Sequence, residues 1–102
     1  MDKDLGPVTT VEKEMGITHR DFYKELPNLL DGIPYQQDDD TIKFQINNRT
    51  IEITLGPERV RELGLSIRLP VTPVALRFFE FPEEEMSEFI KHFNLKFMKG
   101  GG

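Results

Sequence analysis

Two runs of alternating apolar residues, Ile42-Phe44-Ile46 and Ile51-Ile53-Leu55, flank the dipeptide Asn47-Asn48. Alternation at period two places every second side chain on one face of a strand. Asn tolerates the positive φ that both central positions of a type I′ turn require. With Asn47-Asn48 as the loop, Ile46 pairs with Arg49, Phe44 faces Ile51, and Ile42 faces Ile53. On the other face Lys43 meets Glu52 and Gln45 meets Thr50. Apolar matches apolar and cation matches anion. A slip of one residue would turn the apolar set to water, so the register is specified.

The flanking segments extend this nucleus. Thr18 is placed to cap a helix by accepting from the amide of Asp21, and Ile17 and Phe22 occupy the two positions of a hydrophobic staple. Phe22, Leu26, Leu29 and Leu30 share one helical face. Pro27 removes an amide from that helix and predicts a kink or break. Asp31-Gly32 ends the helix, with Gly32 as the left-handed cap. Tyr35 to Gln37 reads as a short strand leading to the acidic turn Asp38-Asp39-Asp40.

After the hairpin, Pro57 and Gly64 bracket a short helix over 57–63. Leu65-Ile67-Leu69 and Val74-Leu76-Phe78 then read as a second hairpin around a loop at 70–73, with Leu69 opposite Val74. Ala75, Phe79 and Phe81 add apolar groups to the other face, which predicts a strand that is central or covered on both sides. Pro82 and Glu83-Glu84-Glu85 open the last helix, where the dipole favours anions. Met86, Phe89, Ile90 and Phe93 form its apolar stripe, and Leu95 and Phe97 read as a short closing strand.

The expected architecture is α+β. An antiparallel sheet of about five strands in two hairpins carries packed helices, in the order α-β-β-β-(short α)-β-β-α. Residues 1–16 read as a flexible arm, 17–98 as a single domain and 99–102 as a flexible glycine tail. Eight Phe make a sizeable core available to a chain of this length.

Composition narrows the function classes. The chain has no Cys, which removes disulfides, thiolate ligands and cysteine nucleophiles and suits a reducing cytoplasm. The formal net charge is -5, which sets a nucleic-acid role at a disadvantage. An α-β-β-β-α run resembles double-stranded RNA-binding domains, but three carboxylates stand where those domains place phosphate-holding lysines. No apolar run spans a bilayer and no secretory leader is evident at the N-terminus, so no membrane partner is expected. His19 and His92 have no spacing that links them to a nucleophile. Asp38-Asp39-Asp40 lacks the alternate spacing of a calcium loop. The expectation is no enzyme, no metal and no cofactor, an enzyme with an unrecognised site ranking last among the alternatives.

The residues left with a binding signature are Arg68, Arg77, Phe79 and Phe81, in a segment that also carries Arg59 and Arg61. Arg beside Phe is the composition of a protein-binding hot spot. The expected function is a small interaction or chaperone-like domain with a protein partner, a homodimer being one possible state.

Two family resemblances accompany this reading. Leu95-Lys96-Phe97-Met98-Lys99 followed by Gly100-Gly101-Gly102 resembles the end of ubiquitin-like and sulfur-carrier proteins. That implies activation of a C-terminal carboxylate at Gly101-Gly102. The element order and acidic balance are similar to class I type III secretion chaperones, which implies a dimer holding a partner in extended form.

Overall fold

The computed structural model describes residues 7–101. Its elements run β1 (Val8–Met15), α1 (His19–Leu30), β2 (Tyr35–Asp38), β3 (Thr41–Ile46), β4 (Arg49–Leu55), β5 (Arg59–Leu63), β6 (Ile67–Phe79) and α2 (Glu83–Gly101). The fold is α+β, with six antiparallel strands where the sequence suggests about five. The main sheet has the order β1-β6-β4-β3-β2, and β5 pairs with β6 outside that path.

The β3–β4 hairpin forms in the expected register, with Phe44 opposite Ile51, Ile42 opposite Ile53 and Lys43 opposite Glu52. Asn47 and Asn48 have φ of 53° and 67°, the pair of left-handed residues a type I′ turn requires. Ile42, Phe44, Ile51, Ile53, Leu55, Val74, Leu76 and Phe78 form one buried face. Phe22, Leu26, Leu29 and Leu30 of α1 and Phe89 and Phe93 of α2 cover it. Lys43, Gln45, Thr50, Glu52, Thr54 and Arg77 occupy the opposite, helix-free face and remain exposed or half-buried. The molecule therefore has two layers, and β6 is a central strand, between β1 and β4, with helices on one face only.

Helix α1 starts as expected, with the Asp21 amide donating to the Thr18 hydroxyl at 3.0 Å. It continues through Pro27 to Leu30. Pro27 lies on the exposed face, and the Asp31 amide closes the last turn onto the Pro27 carbonyl at 2.8 Å. Asp31 adopts the left-handed conformation as the C-cap, and Gly32 follows it at φ 90°.

Several elements differ from the sequence reading. Residues 8–15 are not an arm. They form edge strand β1, which pairs from Val8 opposite Phe79 to Met15 opposite Thr72. The remainder of that expected arm, residues 1–6, lies outside the described residues. The segment read as a short helix is β5, and Gly64 (φ 81°) serves the three-residue turn between Leu63 and Ile67. The second hairpin, with Leu69 opposite Val74, does not form, because Ile67–Phe79 is one continuous strand. The closing strand at Leu95 and Phe97 is instead the continuation of α2, where Phe97 stacks on Phe22 at 4.7 Å and meets Phe93 at 4.7 Å. Helix α2 also takes in Lys99 to Gly101 of the expected glycine tail, and Gly102 lies outside the described residues.

The two prolines of β6 are accommodated at specific places. Pro73 lies at the break between β4 and β5, where the Gly56 amide donates to its carbonyl at 2.7 Å. A Cβ on Gly56 would stand 3.0 Å from Pro73 Cγ, so any larger residue would have to displace the proline ring by a few tenths of an ångström. Pro70 has the opposite parity, and its carbonyl faces Gly16, beyond the end of β1. Its missing amide therefore points to the open edge, where no ladder partner is lost.

The pairing of β1 ends at Thr72 and that of β4 at Val74, whereas β6 and β5 run on together to the Leu63–Ile67 pair. This two-stranded arm projects by roughly 20 Å. The molecule measures 52 × 28 × 26 Å and its Cα radius of gyration is 14.8 Å. A compact chain of this length has a radius of about 13 Å.

Candidate functional site

The four residues with a binding signature do not converge. Arg77 and Phe79 lie together on the open face of the sheet, with the guanidinium carbon 5.3 Å from the ring centroid. Arg77 also donates to Glu52 at 3.3 Å, and Lys43 approaches the other Glu52 oxygen at 3.5 Å. Both cations are thus held in an ionic ladder across β3, β4 and β6. Phe81 turns the other way and sets its edge against Phe78 in the core, centroids 5.4 Å apart. Arg68 sits near the opposite end of β6, roughly 30 Å away along the strand, and pairs with Glu62 at 3.3 Å.

The arm carries the feature that the sequence did not single out. Leu63, Ile67 and Leu69 share the face continuous with the open side of the sheet, and Leu65 stands at the tip. Leu65 is 106% exposed, Ile67 55% and Val60, on the other face of the arm, 62%. Leu63 and Leu69 are also exposed. Five large aliphatic side chains on thirteen residues leave more apolar surface in water than scattered surface residues do.

Val71 shows how the base of the arm is closed. It lies on the same open face yet is only 6% exposed. Glu14 of β1, on one side of β6, accepts from Arg59 at 2.8 Å and Arg61 at 3.2 Å on the other side. The bridge spans β6 above Val71. The hydrogen bond from Arg59, and then its charge, hold the Glu14 carboxyl below the usual carboxylate range, and the charge of Arg61 adds to this. Beside the bridge lies a depression of about 500 Å³ lined by Thr54, Gly56, Pro73 and Ala75, with Glu12 and Glu14 at its rim.

Both histidines are structural struts. His19 Nε2 lies 2.7 Å from the Gly56 carbonyl, so that nitrogen carries the proton and donates. His19 Nδ1 is 3.8 Å from Asp40. His92 Nε2 donates to the Leu29 carbonyl at 3.0 Å and ties α2 to α1. The Tyr23 hydroxyl donates to Asp40 at 2.9 Å. His19, Tyr23 and Asp40 thus join α1 to the β2–β3 turn. Asp39 and Asp40 form that turn, and Glu85 of the α2 triplet pairs with Arg49 at 3.3 Å. Among the described residues no group of three or more His, Cys, Asp or Glu could hold a metal ion. None of their helices is long and apolar enough to cross a membrane.

Burial, reinforced by the hydrogen bond and charge of Asp40, pushes the Tyr23 hydroxyl from 10.0 up to about 12. The folded value lies above the unfolded one, so the neutral phenol stabilises the fold fully below about pH 10. That contribution is lost as pH rises towards 12. Tyr23→Phe should cost about 1 kcal/mol at neutral pH, a value already reduced for solvent screening of this partly exposed group. In urea titrations the gap between wild type and variant should close above pH 10. A gap that stays constant to pH 12 would contradict the assignment.

Compared with known protein families, curated proteins and solved structures, the chain has no match.

Proposed function

We propose that the protein is a non-enzymatic interaction domain that docks through the β5–β6 arm. The observation that carries this reading is the exposure of Leu63, Leu65, Ile67 and Leu69 along one face and the tip of a projecting hairpin. Leaving such groups in water forgoes roughly 1.5–3 kcal/mol per side chain relative to full burial. A partner that covers them recovers part of that.

The titratable side chains favour the same reading. His19, His92 and Tyr23 each have a hydrogen-bond partner that connects two parts of the fold. The chaperone-like order with a helix before the second hairpin loses its support, since β5 occupies that place. The carrier reading needs an extended terminal thread, and α2 continues to Gly101. The expected contact surface accordingly moves from Arg77, Phe79 and Phe81 to the arm, which retains Arg68.

The test is photocrosslinking in the cells that naturally produce the protein, with benzoylphenylalanine at Leu65 and, as a control, at Lys43. The expected result is a discrete adduct from position 65 and none from position 43. Equal, diffuse or absent adducts at both positions would reject the arm as a docking element.

A further inference from the structure

Independently of the docking reading, we infer that Lys13 keeps the free edge of β1 closed to a second copy of this chain. Strand β1 stands at one end of the main sheet, and among the described residues no strand pairs with its outer side. The Glu80 amide donates to the Pro7 carbonyl at 2.9 Å, which fixes the parity of the ladder. Odd positions of β1 turn their backbone groups to β6, and Val8, Thr10, Glu12 and Glu14 turn theirs outward. An open row of amides and carbonyls is a template for a further strand.

The other edges carry their own obstacles. Strand β2 has four residues and follows Pro34. Pro70 takes an amide from one edge of the arm, and β5 sets Arg59, Arg61 and Glu62 along the other. The eight residues of β1 contain no proline and pair with β6 without interruption. Lys13 is the exception in its row. It lies opposite Val74, which is 2% exposed, on the helix-covered face, between the half-buried Val11 and Met15 that pack against the core. Glu12 and Glu14 lie on the open face, where a longer sheet would leave them in water.

With the even positions as the hydrogen-bonding ones, a twofold between two β1 strands falls on a residue. An axis at Glu12 or Lys13 sets that charge against its own mate. An axis at Thr10 pairs only residues 8–12. An axis at Val11 pairs residues 8–14, with Glu14 facing Val8 and Glu12 facing Thr10, so no like charges are opposed. There each Lys13 faces Thr9 across the junction. Joining the edges would strip water from the ammonium, and the row Thr9, Val11, Lys13 and Met15 holds no carboxylate to receive it. The one charge thus excludes a pairing that the backbone and the remaining side chains permit.

The chain has no Cys, so Val11→Cys places a single thiol at that axis. Across a non-hydrogen-bonded pair the two Cα atoms would stand about 4.5 Å apart, within reach of a disulfide. Combined with Lys13→Val, or with Lys13→Met, which keeps the unbranched stem, Val11→Cys at about 100 µM in oxidised glutathione should form linked dimer at least about tenfold faster than in the Lys13 chain. Thr9→Cys, displaced from its mate by roughly 13 Å, should not link. Without the thiol, sedimentation equilibrium should show association strengthened at least about tenfold in both neutral variants, and Lys13→Arg should behave as wild type. Unchanged mass and unchanged linking in both neutral variants would overturn the inference, as would equal linking in the Lys13 chain. Stronger association without linking at position 11 would overturn β1 as the contact. Docking through the arm moves neither the disulfide at position 11 nor its dependence on Lys13, so the two readings fail separately.

Discussion

Phe93→Ala is expected to destabilise the protein by about 3–5 kcal/mol. Phe93 is fully buried and lies among Phe22, Phe89 and Phe97, at centroid distances of 6.3, 6.3 and 4.7 Å. These rings join α1, α2 and the sheet in one cluster. Truncation removes the transfer free energy of a benzyl group. It also leaves a cavity whose walls belong to two helices and cannot collapse independently. A domain of this size has a total stability of about 5–15 kcal/mol, so the loss is a large fraction of the whole. Thermal melting should fall by roughly 15–30 °C. Phe93→Leu, which keeps most of the volume, should recover more than half of that. Leu95→Ala, on the exposed side of the same helix, should stay within about 0.5 kcal/mol of wild type. Equal losses for Phe93→Ala and Leu95→Ala would mean that α2 is not seated as described.

The parts of this fold that can be read from the sequence are those whose partners lie close along the chain. The β3–β4 register follows from residues within six positions of Asn47-Asn48, where turn chemistry, apolar alternation and charge pairing agree. The α1 cap and the stripe Phe22-Leu26-Leu29-Leu30 are equally local. Strand β1 is not. Val8 to Met15 carries weak alternation, and its pairing is to β6, more than fifty residues away. The misreading of 65–78 has a specific cause. Leu65, Ile67 and Leu69 alternate on odd positions and Val74, Leu76 and Phe78 on even ones, with two prolines between. Such a change of phase usually marks a turn. Here it marks the point along β6 where burial passes from one face to none: the helices cover the even face of 72–78, and no helix covers the arm.

The candidate site was hidden for the same reason. In sequence, Leu63, Leu65, Ile67 and Leu69 have the composition of core, and only the missing third layer shows that they are surface. The bridge from Glu14 to Arg59 and Arg61 joins residues 45 and 47 positions apart and has no local signature. The His19–Asp40–Tyr23 group likewise assembles α1 with a turn whose acidic run reads as a solvated loop. Arg77 beside Phe79 is the one binding-type contact that was legible, because residues two apart on a strand share a face.

Replacing Leu63, Leu65, Ile67 and Leu69 together by Ser should separate binding from folding. Leu65 and Ile67 lie mostly in water, Leu63 and Leu69 are each 44% exposed, and none of the four belongs to the core cluster. The Glu14 bridge and the β5–β6 ladder do not depend on them. The free energy of unfolding should therefore change by no more than about 1 kcal/mol, the residue of lost strand propensity. Binding of the partner should weaken at least about 100-fold, equivalent to about 2.7 kcal/mol, because the apolar side chains that the proposed contact covers are removed. Urea unfolding of the purified protein measures the first quantity, and photocrosslinking in the producing cells from benzoylphenylalanine at Val60, elsewhere on the arm, measures the second. A stability loss above about 3 kcal/mol would mean that these leucines belong to the monomer core. Full stability with unaltered association would place the contact elsewhere, on the Arg77–Phe79 face or on α2. Retained stability with lost association is the outcome that a solvent-exposed arm, built for contact and held in place by ion pairs at its base, requires.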